Sequence, residues 1–300
     1  MKNKYVYVLV LLVCIAFAGL FLTGIYMAGQ KKGSTKKELT VVTSFYPMYV
    51  AADNIIGDSK GVVLQNLSEP QTGCLHDYQL TPEDMKLLSE ADVFIVNGGG
   101  IETFLTDVAK AYPDLVIMNA SENIHLLEDN AHVWMDPELY AGQVKKIASD
   151  MKQADPERGA LYEQNAAAYC EKIGDLQQEF EELKARGSGS SLVIFHEAYA
   201  YTAKALGMNV AGSMDLDEER QISAGEVAEI LSVIDSQNVK FVFAERLYGE
   251  SMGNTVEAES KARVVYLDPL TRGEYRADGY LKGMQKNLEL IKEAFSDYEP

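Results

Sequence analysis

The chain predicts an α/β fold: two βα lobes, each with a mostly parallel four-stranded sheet, joined by one long helix. Three observations predict it. Short β-branched and apolar runs alternate with helical patterns, the signature of βα units; this rhythm occurs twice; and one long amphipathic stripe separates the two occurrences. A length of 300 residues exceeds one small core and suits two domains of ordinary size.

At the N-terminus, Tyr5 to Gly29 form one apolar run interrupted by Thr23 and by no charge, with Lys2 and Lys4 before it and Lys31 and Lys32 after it. That is close to the ~20 residues a helix needs to cross a bilayer, and longer than the roughly 7–15 apolar residues of a cleavable signal. Ala16-Phe17-Ala18 would serve as a cleavage site, and Cys14 offers lipidation, although Val13 precedes it where a small residue is wanted. The expectation is an uncleaved membrane anchor over residues 1–30, with the remainder outside the cytoplasm. Residues 31–38, polar and containing Gly33, Ser34 and Thr35, read as a spacer.

The first lobe, residues 39–155, has candidate strands at Leu39–Phe45, Val62–Asn66, Val93–Asn97 and Leu115–Asn119. In the linking segment, residues 156–187, Tyr162, Ala166, Tyr169, Ile173, Leu176, Phe180 and Leu183 recur at steps of four and three, which keeps them on one helix face. Asp155-Pro156 suits its start and Gly187-Ser-Gly-Ser-Ser its end. The second lobe, residues 188–300, has candidate strands at Leu192–Phe195, Asn209–Gly212, Phe241–Ala244 and Val264–Leu267.

The formal charge of −18 understates the acidity of the lobes, because six of the 27 basic residues lie in the first 37 positions. Such a surface repels phosphate backbones, and no Lys/Arg cluster relieves it downstream, so no nucleic-acid partner is expected. Cys74 and Cys170 give no disulfide framework. Cys74 lies two positions before His76, so a thiolate ligand is one reading of it.

The four histidines are His76, His125, His132 and His196. His76 lies in the loop after the second candidate strand and His132 past the fourth. His196 directly follows the fifth, and Asp268 directly follows the eighth. Ligands of α/β sheets bind beyond the carboxyl ends of strands, so two residues from each half can meet in an interlobe cleft. Three neutral imidazoles and a carboxylate suit a four-coordinate borderline cation such as Zn²⁺, with ligands at roughly 2.0–2.2 Å. His125 reads as an exposed loop residue, Asp136 as the cap of a helix starting at Pro137, and Tyr199 and Tyr201 as packing residues.

The local sequences resemble the family of ABC-transporter solute-binding proteins for zinc and manganese, over nearly everything from Leu39 onward. His76-Asp-Tyr-Gln-Leu-Thr-Pro82-Glu-Asp84 is similar to its first-ligand loop, and Asn97-Gly98-Gly99-Gly100-Ile101-Glu102 to the turn after its third strand. His132-Val-Trp134-Met-Asp136-Pro137 is the most specific piece. Phe195-His196-Glu-Ala-Tyr199-Ala-Tyr201 resembles the third-ligand segment, Ile222-Ser223-Ala224-Gly225-Glu226 a helix start, Phe243-Ala244-Glu245 its Phe-x-Glu, and Leu267-Asp268-Pro269-Leu270 its Leu-Asp-Pro-Leu.

The resemblance implies metal ligands His76, His132, His196 and Asp268, with Glu245 orienting a ligating histidine or competing for the fourth place. Zinc members carry His at the third position and manganese members Glu, so His196 implies Zn²⁺, with Mn²⁺ as the alternative. It also implies a non-enzymatic, monomeric receptor that hands its ion to an ABC permease powered by an ATPase. The sequence departs from the family at Thr72-Gly73-Cys74-Leu75, where Asp-Pro commonly precedes the His, and at Arg246, where Pro is usual. The rival reading is a membrane-anchored zinc hydrolase, since three histidines with an open fourth position can activate water. Against it, the chain has no H-E-x-x-H.

Overall fold

The computed structural model describes residues 13, 15–17, 19, 23, 38–216 and 221–296. Most of the expected anchor, residues 1–30, and the spacer lie outside the described residues. Among the described residues no helix is long and apolar enough to cross a membrane. Met1–Glu38 form one unit and Leu39–Pro300 another.

The second of these units holds two sheets. The first sheet contains β1 (Leu39–Thr43), β2 (Val62–Asn66), β3 (Val93–Val96) and β4 (Val116–Asn119), in the order β2-β1-β3-β4 and all parallel. The second sheet contains β5 (Ser191–Ile194), β6 (Asn209–Ser213), β7 (Phe241–Ala244) and β8 (Arg263–Tyr266), again parallel, in the order β6-β5-β7-β8. Each expected strand is present within two residues of its expected bounds. The reason shows in the interior strands. Val-Phe-Ile-Val in β3 and Phe-Val-Phe-Ala in β7 are buried along their whole length, as strands covered on both faces must be.

The helices of the first lobe are α1 (Tyr46–Ile56), α2 (Pro82–Glu90), α3 (Leu105–Ala111) and α4 (Pro137–Ala154). A capping box starts α2: the Thr81 hydroxyl accepts from the Asp84 amide while the Asp84 carboxylate accepts from the Thr81 amide. Asp136 caps α4 as expected, its Oδ1 accepting from the amides of Glu138 and Leu139. The α4 stripe Tyr140, Val144, Ile147 and Met151 is fully buried.

The long helix, α5, runs Gly159–Gly187, and all seven residues of its predicted stripe are buried. It starts later than Asp155-Pro156. The Asp155 amide closes the last turn of α4 on the Met151 carbonyl, and its carboxylate accepts from the Tyr162 hydroxyl at 2.7 Å and the Arg158 guanidinium at 2.6 Å. A residue so engaged ends one helix and braces the next rather than capping it.

The second lobe adds α6 (Tyr199–Ala205), α7 (Ala224–Ser236), α8 (Arg246–Glu259) and α9 (Gly279–Ser296). Ser223 and Glu226 form the capping box of α7. Contacts between the lobes are extensive. One continuous buried cluster includes Val41, Phe45 and Trp134 from the first lobe, the α5 stripe, and Leu192, Phe243 and Tyr280 from the second. The loop between β8 and α9 reaches across: the Gly273 amide donates to the Pro70 carbonyl at 3.0 Å, and the Tyr275 ring stacks on Tyr49 with centroids 4.5 Å apart. Tyr140 and Tyr280 stack at 3.8 Å.

Candidate metal centre

The site is built on loops that leave the carboxyl ends of strands in both lobes. His132 precedes a single 3-10 turn, Val133–Met135, and is fully buried. Its backbone amide and its Nδ1 both meet the Asn130 Oδ1, at 2.9 and 3.0 Å. Asn130 itself is held from the other lobe: its Nδ2 donates to the Glu197 carbonyl at 2.8 Å, and its own carbonyl accepts from the Tyr201 hydroxyl at 2.7 Å. A carboxamide oxygen can only accept, so Nδ1 of His132 carries a proton and its Nε2 lone pair is directed into the cleft.

Trp134 fixes this turn. Its indole Nε1–H donates to the Pro269 carbonyl at 2.8 Å, and the Tyr280 hydroxyl donates to the Trp134 carbonyl at 2.8 Å. The motif around His132 therefore also locks the two lobes together.

His196 follows β5 and is 1 % exposed. Burial first, then the neighbouring His132, pushes its pKa down to about 3, so the ring is neutral. The Ala198 amide donates to its Nδ1 at 3.0 Å. Since that amide can only donate, the neutral ring holds its proton on Nε2, facing the cleft. Binding an ion through Nε2 therefore requires the proton to shift to Nδ1 and the Ala198 bond to be given up. His132 is already in the ligating tautomer and His196 is not.

Two groups of side chains could hold an ion, and they share His132. On its Nε2 side, Cys74 Sγ lies 3.3 Å from His132 Nε2 and 3.4 Å from His196 Nε2. On its Nδ1 side, Glu197 Oε1 lies 3.3 Å from His132 Nδ1 and 3.2 Å from His76 Nε2. Hydrogen bonds from His132, then from His76, hold the Glu197 carboxyl well below the usual carboxylate range.

Of the four residues that the sequence singles out, His132 and His196 fall in one group and His132 and His76 in the other. Asp268 belongs to neither group. Its Oδ1 accepts from the Leu270 amide at 2.8 Å, closing a turn in which Leu270 takes a φ of +55°, while Asn287 bonds both the amide and the carbonyl of Asp268. Glu245 sits 3.3 Å from the Arg272 guanidinium. Both carboxylates line a neighbouring cavity of about 280 Å³ with Arg246 and Lys286.

Sequence reasoning passed over Glu197 and Asn130 as partners of His132. The only signal for Glu197 is its adjacency to His196. Tyr199 and Tyr201 are buried as expected, but they also act as donors: Tyr199 bonds the Leu267 carbonyl at 2.7 Å, the residue before Asp268. Cys74 and Cys170 do not form a disulfide, and His125 is exposed. Glu102, at the end of the glycine turn, is 4 % exposed. It accepts from the Asn97 and Gly98 amides and the Ser44 hydroxyl, so it shapes the turn after β3.

Two similar lobes over a helical spine, with a small, polar, buried site between them, define a solute-binding receptor. Residues 41–294 match the family model described as zinc-uptake complex component A, periplasmic, and the chain belongs to that family of zinc/manganese ABC-transporter solute-binding proteins. It is 28% identical over 291 residues to the high-affinity zinc uptake system protein ZnuA of Bacillus subtilis, covering 88% of this chain and 90% of the relative. It is 26% identical over 271 residues to the manganese-binding lipoprotein MntA of Halalkalibacterium halodurans, covering 86% and 89%. Among solved structures, the metal-dependent lipoprotein YcdH from Bacillus subtilis superposes with a TM-score of 0.72 at 28% identity, covering 85% of this chain and 98% of that one. The family consists of receptors rather than enzymes, which removes the hydrolase reading.

Proposed function

We propose that this chain is the extracytoplasmic zinc-capturing subunit of an ABC importer, working as a monomer tethered by residues 1–30. Lobes over residues 39–155 and 188–300, joined by the segment 156–187, hold the ion and present it to the permease, which the ATPase powers. The observation that carries this reading is the convergence of His132 and His196, buried residues from opposite lobes, on one point in the cleft. His76 joins them when its imidazole leaves Glu197, a half-exposed partner that can fall back to water.

The donor set supports zinc over manganese. Imidazole nitrogens suit Zn²⁺, whereas manganese sites are richer in carboxylate and water oxygens. The names of the relatives above cover both metals, so the ion is decided by the side chains. Competitive calorimetric titration of the chelator-stripped protein is the test. Zinc is expected to displace manganese with at least about 100-fold tighter binding, roughly 2.7 kcal/mol. Equal affinity for the two ions would contradict the zinc reading.

A further inference from the structure

We infer that Cys74 supplies the anionic ligand of the captured ion, as a thiolate, in the place where the family's pattern puts the Asp268 carboxylate. This rests on the metal-receptor reading above and deepens it.

The distances already match a coordination shell. In a tetrahedral zinc site, with Zn–S near 2.3 Å and Zn–N near 2.0–2.1 Å, a sulfur and a nitrogen ligand are separated by about 3.6 Å. Cys74 Sγ lies 3.3 and 3.4 Å from the Nε2 atoms of His132 and His196. Both sulfur–nitrogen separations thus stand within a few tenths of an ångström of the edge of a tetrahedral zinc shell, and all three ligand atoms lie within 4.8 Å of one another. An ion at its centre needs a small outward shift of each, together with the move of the His196 proton from Nε2 to Nδ1 that gives up the Ala198 bond.

Charge balance points the same way. A dication among neutral imidazoles needs an anionic partner, since burying an uncompensated charge is costly. Of the nearby carboxylates, Glu245 is paired with Arg272, Glu197 meets His132 on its Nδ1 side rather than at Nε2, and Asp268, whose Oδ1 accepts from the Leu270 amide, falls in neither group of ligand atoms. The guanidinium of Arg272 lies against Gly73, where a Cβ would come within 2.9 Å of Nη2. Gly73 thereby admits the cation that engages Glu245, and the next residue brings the sulfur to the histidines. The departure from the family at Gly73-Cys74 and the engagement of Glu245 are two parts of one exchange, a thiolate for a carboxylate.

The softness of the donor fits the ion as well. Thiolate is softer than carboxylate and, with imidazole, selects zinc over manganese. The thiol proton passes to solvent as the ion enters.

The test uses the full chain in mild detergent, reduced, stripped with chelator and titrated with Co²⁺ as a spectroscopic probe. The expected result is one cobalt per chain and an intense thiolate-to-cobalt charge-transfer band in the near ultraviolet, saturating at one equivalent. The Cys14→Ser/Cys170→Ser variant keeps the band and Cys74→Ser loses it. Loss of residues that only orient ligands costs 10–100-fold in metal affinity, so Cys74→Ser should weaken zinc at least about tenfold. One cobalt per chain without the band, or a band that persists in Cys74→Ser, overturns the assignment of Cys74 and leaves the receptor intact. Failure to bind any cobalt or zinc overturns both.

Discussion

The two lobes have the same strand order, yet they contribute to the site in different ways. The first lobe sends His76 and His132 to the cleft on loops after β2 and β4, with Cys74 beside them. The second sends His196 and Glu197, while its two further carboxylates are tied into local structure: Asp268 closes its own turn and Glu245 pairs with Arg272. Shared topology therefore fixes where ligands can come from and leaves open which side chains serve. Short-range partners, an amide here and a guanidinium there, hold the second lobe's carboxylates.

This contrast can be broken by substitution. The larger effect is expected at Glu197, which holds the Nδ1 side of His132 and keeps His76 in waiting. Glu197→Ala should weaken zinc about tenfold, the low end for an orienting partner, because Asn130 still holds the Nδ1 of His132. Calorimetric titration reads this directly, and an unchanged affinity would show that Asn130 alone orients the ring.

A smaller effect is expected at Asp268. Asparagine keeps an oxygen that can accept from the Leu270 amide, so Asp268→Asn preserves the turn and removes only the charge. Zinc affinity should change by less than about threefold, or roughly 0.65 kcal/mol. A loss of tenfold or more would place the second lobe's carboxylate in the coordination shell.

Much of the fold was legible because it depends on local pattern. Short apolar β-branched runs such as Val93–Val96 suit a covered parallel sheet, and the α5 stripe kept its period over six steps. The start of α5 was less legible. Asp155-Pro156 has the composition of a cap, but Tyr162 and Arg158 claim its carboxylate.

His132 and His196 could be read from their motifs and their places after strands. Cys74 was harder to read: its partners lie 58 and 122 residues away, and its loop departs from the family there. The tetrapeptide Leu267-Asp268-Pro269-Leu270 is ambiguous in itself, since an aspartate two residues before an available amide can be a ligand or a turn former. The observed bond to Leu270 shows the turn-forming role of Oδ1.

The central claim is that one ion is held where the two lobes meet at His132 and His196. Zinc content per chain, measured after loading and exhaustive dialysis of the full-length protein, tests it most directly. The wild type should retain about one zinc per chain, and His132→Ala, which removes the ring shared by both groups of ligands, should retain less than about one tenth, as expected when a ligating residue is lost rather than an orienting one. Equal zinc content in the two proteins would contradict the account.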